Sequence, residues 1–222
     1  MEYLHWKEEI IDDFSAANIA RMYDRGFVFG RLDKGVMQQT RSCRIDLSKF
    51  ELSSENRRIL KKTDGLMIDG VTLPLREEYD WLIGKLAKDF YDAKFGAGTM
   101  SANKVKELLT DEKKSNFNTL LAYSLNEMII GYAICFVTPA LMHYSYPFYD
   151  LVRAPKDSGL GMMIRAIQYA KTAGMKHIYL GSLQRPGDTY KLQFEGLEWF
   201  DGGSSGSGKW RTDAAPLKEI LK

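Results

Sequence analysis

The sequence of 222 residues contains only two cysteines, six prolines and three histidines, and its net charge is only +2. Cys43 and Cys135 are too few for a disulfide framework, so we expect two reduced thiols in a reducing compartment. The three histidines are too scattered in the sequence to predict a metal site. Because the net charge is small, any binding of a polyanion must come from a local patch of charge.

Long apolar runs and targeting signals are also lacking. No apolar run approaches the roughly 18 residues that a membrane-spanning helix needs. The first residues, MEYLHWKEEIIDDF, are acidic and lack the basic-then-apolar order of a signal peptide. With 45% hydrophobic and 27% charged residues, the composition is typical of globular proteins. We therefore expect a soluble, cytoplasmic protein with no membrane partner, and a monomer.

A basic stretch between residues 41 and 62 is the local patch that the small net charge requires. Its positive residues are Arg41, Arg44, Lys49, Arg57, Arg58, Lys61 and Lys62. Only three acidic residues, Asp46, Glu51 and Glu55, offset them. Two interpretations stay open: the stretch is a solvated helix face with pairing inside the helix, or it is a surface that contacts RNA phosphates.

The order of predicted elements indicates a mixed α/β sheet with helices on its faces. Helical spacing covers residues 7–22 and 77–95, and Ser101 is a suitable cap for a further helix. A hairpin follows over 119–137, with its turn at Asn126 and Glu127. Alternation predicts strands over 43–52, 142–150 and 176–183, and a helix over 160–173 lies between the last two. A Gly/Ser-rich loop is predicted at 201–209.

The stretch KDSGLG, residues 156–161, opens the helix with the clearest amphipathic pattern. Glycines at a strand–loop–helix junction allow backbone amides to approach an anion, and the helix dipole favours negative charge there. The alternative is a capped helix with turn glycines and no ligand.

The order of these elements and the loop resemble the Gcn5-related N-acyltransferase superfamily. In that fold a Gln/Arg-x-x-Gly-x-Gly/Ala loop binds the pyrophosphate of the acyl donor, and Lys156, Gly159 and Gly161 stand at its three key positions. The resemblance implies a fold of this type with an N-terminal helical and basic extension, divided into residues 1–75 and 76–222. It also implies that the sheet splays between the strands at 142–149 and 177–183.

Two longer stretches resemble the arginyl/leucyl-tRNA–protein transferases, the N-end rule aminoacyltransferases. The first is residues 22–62, and the second is residues 146–181, with FYD, YLG and the helix between them. Lys191 and Phe194, in YKLQFEGLEWF, echo a further motif of that family. The matching residues of the first stretch are Gly26, Phe27, Arg44, Ile45, Phe50, Ser53, Arg57 and Arg58.

The sequence also departs from that family at several positions. The cysteine-rich segment that precedes the Arg-Ile pair is missing, and only Cys43 remains of it. The family's Ser-Leu-Gly is replaced by residues 158–161, SGLG, and its Tyr-Leu-Gly-Tyr-Trp-Ile by YLGSLQ. The second lysine of the last motif is Glu195. These differences fall in the regions that the resemblance assigns to donor and acceptor.

The resemblance implies transfer of arginine or leucine from charged tRNA to the N-terminal α-amine of an acceptor protein. Aminoacyl-tRNA is then a co-substrate, and no cofactor and no metal are needed. An acyl-CoA-dependent N-acyltransferase that uses acetyl-CoA is one alternative. A catalytically inactive module that binds tRNA or peptide is another.

Candidate residues follow from the resemblance and from the needs of this chemistry. Asp150 would orient or deprotonate the incoming amine, or else be a turn aspartate. A tyrosine hydroxyl would protonate the departing ribose oxygen; the candidates are Tyr149, Tyr179 and Tyr190, of which the first two could instead be packing residues. The residues assigned to tRNA or donor binding are Arg44, Arg57, Arg58, Lys61, Lys156, Ser158, Gly159, Gly161, Lys191 and Gln193. Lys191 could instead be a surface lysine.

Overall fold

The structure is a computed structural model that describes residues 4–202 and 208–221. The predicted Gly/Ser-rich loop therefore lies mostly outside the described residues. Helices and strands are interspersed along the chain. The helices are α1 (Ala16–Asp24), α2 (Ser54–Lys62), α3 (Trp81–Phe95), α4 (Ala102–Thr110), α5 (Ser158–Thr172), a 3₁₀ helix (Pro186–Gln193) and α6 (Ala215–Ile220). The strands are β1 (Lys7–Ile10), β2 (Phe27–Phe29), β3 (Val36–Gln39), β4 (Ser42–Asp46), β5 (Met67–Thr72), β6 (Thr119–Leu125), β7 (Met128–Val137), β8 (Leu141–Tyr149), β9 (His177–Ser182), β10 (Leu197–Asp201) and β11 (Lys209–Arg211).

The strands form a small sheet, in the order β1-β3-β2, and a large sheet, in the order β11-β10-β4-β9-β8-β7-β6-β5. The large sheet is mixed, since β8 and β9 pair in parallel over Leu141–His143 and His177–Tyr179, whereas β4 pairs with β9 in antiparallel. The predicted α/β class with a mixed sheet is thus confirmed. The splay beyond the paired residues of β8 and β9 stays a prediction.

The chain forms two compact units. Unit 1 contains Met1–Ser54, Thr138–His143 and Tyr169–Lys222, and unit 2 contains Glu55–Val137 and Tyr144–Gln168. The predicted boundary after residue 75 lies inside unit 2, and the division into two domains at that point stays a prediction.

Unit 1 has its core around α1 and the strands of the small sheet. Because the N-terminal region contributes β4 between β9 and β10, it supplies a strand of the main sheet in addition to helix. Its fully buried side chains include Ile19, Tyr23, Phe27, Met37, Ile45, Ile178 and Tyr179. The predicted helix over 7–22 is wrong in its first half. Residues 7–10 pair with β3 as an edge strand, and α1 begins only after Ser15, whose hydroxyl accepts the Asn18 amide.

Unit 2 contains the hairpin that the sequence predicts. Asn126 and Glu127 both have positive φ, at 49° and 65°, as a two-residue hairpin turn requires. Ser101 caps α4 by accepting the Lys104 amide at 3.1 Å, which confirms that prediction as well. β5, which the sequence reading missed, pairs along β6 over six residues and forms the edge of the sheet. The buried side chains of unit 2 include Ile59, Leu108, Leu121, Tyr123, Ile134 and Ile164.

α5 has the boundaries that the amphipathic pattern predicts within two residues. It ends in a Schellman arrangement, because the Met175 amide donates to the Ala170 carbonyl and Gly174 has a φ of 74°. Its apolar side chains are buried, among them Met162, Ile164, Ile167 and Ala170.

Candidate functional site

Asp150 follows β8 and organises the turn that leads to α5. One carboxylate oxygen accepts the backbone amides of Val152, at 2.9 Å, and of Arg153, at 2.8 Å. The other accepts the Arg153 Nε at 2.7 Å. The Arg153 amide and guanidinium lower the pKa of Asp150, so it is a weaker base than an isolated carboxylate. Asp150 thus has the contacts of a turn aspartate, which was the open alternative, and its proposed role in orienting or deprotonating the amine stays a prediction.

Tyr149 is a packing residue at the start of α5. Its ring lies 4.8 Å from that of Phe90 and also packs against Gly159. Burial raises the pKa of Tyr149, which holds the hydroxyl in its neutral form. A methyl group on Gly159 would come within 3.1 Å of the Tyr149 ring, so this glycine permits close packing. Tyr149 is thus not placed as a free catalytic hydroxyl.

The first turn of α5 already has protein acceptors for its backbone amides. The Ser158 amide donates to the Pro155 carbonyl, and the amides of Leu160 and Gly161 donate to the Asp157 carbonyl. The Ser158 hydroxyl also donates to Pro155, at 2.6 Å. These three amides are therefore not free donors for a pyrophosphate in this structure. The bonds match the alternative of a capped helix start, and the anion cradle stays a prediction.

Gly161 has a packing role of its own. A Cβ at this position would lie 2.6 Å from Thr63 Oγ1 and 3.0 Å from Thr63 Cβ. Thr63 follows α2 and is itself buried, with its hydroxyl donating to the Ile59 carbonyl. The glycine is therefore needed for α5 to approach the end of α2.

The basic residues of α2 are exposed, and part of their charge is paired inside unit 2. Arg58 forms a salt bridge with Glu55 one turn earlier, and Lys62 lies 2.9 Å from Asp157. Arg57, Lys61 and the loop residue Lys156 are also exposed. Surface pairs of this kind are weak, so a phosphate can replace the carboxylate partner at little cost. Both interpretations of this helix thus remain compatible with its geometry.

Arg44 is buried in unit 1, which corrects its assignment as a phosphate contact. It is 8% exposed, and its guanidinium bonds Asp24 at 2.6 Å and Glu198 at 2.8 Å. It also donates to the Tyr179 hydroxyl at 3.1 Å and lies 4.0 Å from the centroid of the Trp210 ring. A guanidinium with this many partners is a structural group and is not available to RNA.

Tyr179 belongs to the same buried cluster. Its ring packs edge-on against Tyr23, at 4.8 Å, and Trp210, at 5.8 Å. Burial, partly offset by Arg44, raises the pKa of Tyr179 to about 12. The proposal that it is a catalytic acid is wrong, because the hydroxyl faces Arg44 inside the core and only 1% of the residue is exposed.

Lys191 is buried on the 3₁₀ helix that follows β9. Its ammonium donates to the Ser182 carbonyl at 2.8 Å and lies 3.5 Å from Asp188. A lysine that is 6% exposed cannot be a surface phosphate contact, so that assignment is corrected to a residue that holds the end of β9. Tyr190 beside it is 43% exposed, and its carbonyl accepts the Gln193 side-chain amide at 2.7 Å. Of the three tyrosines proposed from the sequence, Tyr190 is exposed, Tyr149 is half-buried and Tyr179 is buried.

Two residues near the end of β9 were missed by the sequence reading. Gln184 and Thr40 bond each other at 3.1 Å, and both bond the backbone of Leu4. Only the departure at YLGSLQ, which contains Gln184, drew attention to this region. Nothing in the spacing indicates Thr40, since the contact joins distant parts of the chain.

Two kinds of feature are absent from the described residues. In residues 4–202 and 208–221, no group of three or more His, Cys, Asp or Glu side chains is placed to hold a metal ion. Within the same residues, no helix combines the length and the apolar character needed to cross a membrane.

The sequence is similar to two curated bacterial proteins, each named aspartate/glutamate leucyltransferase. The relative from Ruegeria pomeroyi is 26% identical over 181 residues, and the one from Dinoroseobacter shibae is 26% identical over 190 residues. Both alignments cover 79% of this chain but only 63% of the relative, so the chain spans less than two thirds of their length. No family model matches the sequence.

Solved structures give weaker likenesses. The C-terminal domain of a protein designated a lysylphosphatidylglycerol synthetase, from Agrobacterium fabrum, aligns with a TM-score of 0.45 and 17% identity, over 76% of this chain and 52% of that one. A GCN5-related glucosamine N-acetyltransferase region of a fungal β-N-acetylglucosaminidase aligns with a TM-score of 0.46 and 11% identity, over 86% of this chain and 22% of that one.

Proposed function

We propose that this protein transfers an aminoacyl group, leucine in the first place, from charged tRNA to the N-terminal amine of an acceptor polypeptide. The observation that carries the proposal is the similarity to two leucyltransferases over 79% of the chain. Their name indicates aspartate and glutamate acceptors, so we expect acceptors with these residues at the N-terminus. Arginine is the second candidate donor, because the sequence motifs resemble arginyl and leucyl transferases alike.

We expect the reaction to require no cofactor. The neutral α-amine attacks the ester carbonyl of the aminoacyl-tRNA, a C–N bond forms, and the C–O bond to the terminal ribose breaks. The proton lost by the amine balances the proton gained by the ribose oxygen. Since the ester is already activated, no nucleotide is consumed. The amine has an ordinary pKa of about 7.7–8.0, so a modest fraction is neutral without a strong base.

We assign the RNA contact to the exposed basic residues of α2. The helix SENRRILKK has four cationic side chains and one acidic one, and its buried face is limited to Asn56 and Ile59. Phosphate contacts of this kind are independent of sequence and sensitive to salt. Lys156 in the loop before α5 adds a further exposed cation in the same unit.

We assign the leaving-group proton to the Tyr190 hydroxyl. Among the proposed tyrosines this is the exposed one, and the neighbouring Lys191 and Gln193 are bonded to fixed backbone carbonyls. Lys191 then acts as a positioning residue, because its bond to Ser182 fixes the end of β9 against the 3₁₀ helix.

The acetyl-CoA alternative loses support from the loop before α5. A pyrophosphate would require free backbone amides in the first turn, and those of Ser158, Leu160 and Gly161 are bonded to protein carbonyls.

The test is a comparison of donors on one acceptor. The protein is incubated with a peptide bearing N-terminal Asp, together with labelled leucyl-tRNA, arginyl-tRNA or acetyl-CoA. We expect label on the peptide from leucyl-tRNA. Label from arginyl-tRNA alone would identify arginine as the donated amino acid. Label from acetyl-CoA alone would overturn the proposal. Salt-sensitive binding of tRNA with no transfer from any donor would identify an inactive binding module.

A further inference from the structure

The side chain of Gln184 binds the backbone of Leu4 as a neighbouring strand would. Its Oε1 accepts the Leu4 amide at 2.9 Å, and its Nε2 donates to the Leu4 carbonyl at 3.3 Å. The Thr40 hydroxyl donates to the same carbonyl at 2.6 Å. We call Thr40 and Gln184 the peptide clamp. These bonds of the clamp are all made to the main chain of Leu4, so they do not depend on its side chain.

The peptide clamp is held rigidly by its surroundings in unit 1. The Gln184 Nε2 also approaches the hydroxyls of Thr40, at 3.1 Å, and Ser182, at 2.9 Å. The Gln184 backbone amide donates to the Asp188 carboxylate at 2.9 Å. Thr40 is fully buried. The amide plane is therefore fixed before a peptide binds, which lowers the entropic cost of binding.

Leu4 lies in the clamp, and the chain continues from it into the edge strand β1. Trp6 is half-buried, with its ring 6.3 Å from that of Phe200. The Trp6 amide donates to the Gln39 carbonyl at 2.8 Å, and β1 continues the pairing along β3. The side chains of Lys7 and Glu8 are exposed, and Ile10 is 76% exposed. The main-chain hydrogen bonds of this segment can be made equally by another extended peptide.

The clamp is bonded to the end of β9, and Lys191, the sequence neighbour of the proposed acid Tyr190, is bonded to the same end. Gln184 contacts the Ser182 hydroxyl, and Lys191 donates to the Ser182 carbonyl. We infer that the peptide clamp is the binding site for the backbone of the acceptor polypeptide, and that residues 4–10 occupy it until an acceptor displaces them. This inference rests on the proposed function for the identity of the peptide.

Affinity for a peptide tests the inference without tRNA. The probe is a peptide with N-terminal Asp and a fluorophore at its C-terminus, and its anisotropy reports binding. Leu4→Pro removes the amide that donates to Gln184, so it weakens the bound segment and should tighten peptide binding several-fold. Leu4→Ala is the matched control, since it keeps the backbone amide, and it should bind as the unaltered protein does.

A second pair of variants tests the clamp itself. Removing Gln184 weakens the resident segment and the incoming peptide together, so Gln184→Ala alone should change the affinity little. In the Leu4→Pro background, Gln184→Ala should instead weaken peptide binding several-fold. Gln168→Ala on α5 in that background should leave it unchanged. Thermal unfolding of each variant verifies that it is folded.

Three results would overturn the inference: equal affinity of Leu4→Pro and the unaltered protein, no loss on adding Gln184→Ala to Leu4→Pro, or no peptide binding by any variant. If a variant fails to fold, hydrogen exchange of the unaltered protein still tests the inference. Saturating peptide should accelerate exchange at the Leu4 and Trp6 amides of the unaltered protein, and unchanged exchange would contradict displacement. Failure of aminoacyl transfer with these responses intact would reject the proposed function alone.

Discussion

The charge of Arg44 suggests an RNA contact, but its buried environment gives it a structural role. Its position in a basic stretch and in a family motif favoured an RNA contact, but strand β4 places it in the core of unit 1. There Glu198, with a side chain 14% exposed, and the more exposed Asp24 share its charge. A buried guanidinium needs such partners because removal from water is costly.

Arg44→Ala should destabilise the fold, because it leaves the Glu198 carboxylate partly buried without its guanidinium partner. We expect a loss of about 3 kcal/mol in the free energy of unfolding. Denaturant unfolding measures it. The double variant Arg44→Met with Glu198→Met should lose less than Arg44→Ala, since it removes both charges. An Arg44→Ala protein of unchanged stability would contradict the structural role.

Gly161→Ala should also destabilise the protein, because its methyl group would collide with Thr63. The expected loss is about 1–3 kcal/mol in unfolding free energy. Gly187→Ala is the control, since a methyl group there meets no atom within 4 Å. Thr63→Ala should relieve part of the loss in combination with Gly161→Ala. A Gly161→Ala protein as stable as the Gly187→Ala control would show that the two helices are not closely packed.

At the scale of elements, α2 is the part of the chain where charge is exposed and removable without damage to the core. Arg57→Ala together with Lys61→Ala should weaken tRNA binding and reduce the slope of log affinity against log salt by about one per lost phosphate contact. Filter binding at several salt concentrations measures the slope. Lys85→Ala with Lys88→Ala on α3 is the matched control, and an equal change there would assign the effect to general charge.

The elements that the sequence predicted well are those set by local signals. Asn126 and Glu127 define a hairpin turn, Ser101 caps α4, and Gly174 ends α5. The elements that were missed depend on partners far away in sequence. Residues 7–10 carry a helical pattern yet form a strand, because β3 offers an edge to which they pair. β5 has few burial signals, since most of its residues are exposed at the sheet edge.

The candidate site was less predictable than the fold, for a physical reason. The sequence shows which residues carry a charge or a hydroxyl group. It does not show which of these groups are engaged in hydrogen bonds within the folded protein. Asp150 accepts two local backbone amides, and Tyr149 packs against Phe90 and Gly159. The peptide clamp, conversely, has no local pattern, because Thr40 and Gln184 meet only in the folded chain.

At the scale of the whole molecule, two buried histidines should make stability depend on pH. Burial lowers the pKa of His143 to about 3 and that of His177 to about 4. The unfolded chain, with histidine pKa values near 6.5, therefore binds more protons than the native state between about pH 6.5 and pH 4. Stability should fall as the pH drops through this range.

His143→Gln tests this pH dependence. The glutamine can keep a bond to the Tyr23 hydroxyl, which lies 3.0 Å from His143 Nδ1, but it cannot take up a proton. Unfolding free energy measured from pH 7 to pH 4 should be less steep in this variant. Between pH 7 and pH 5, the variant should lose about 1–2 kcal/mol less unfolding free energy than the unaltered protein. Parallel pH profiles of the variant and the unaltered protein would reject the assignment to His143.

The central claim is that the amine of an acceptor N-terminus displaces tRNA from its aminoacyl ester. Mass spectrometry of a peptide with N-terminal Asp, incubated with leucyl-tRNA and the protein, tests it most directly. We predict a product heavier by one leucine residue, with fragment ions that place the addition on the α-amine, and no product from the same peptide with an acetylated N-terminus. An unmodified peptide after incubation with freshly charged tRNA would contradict the claim.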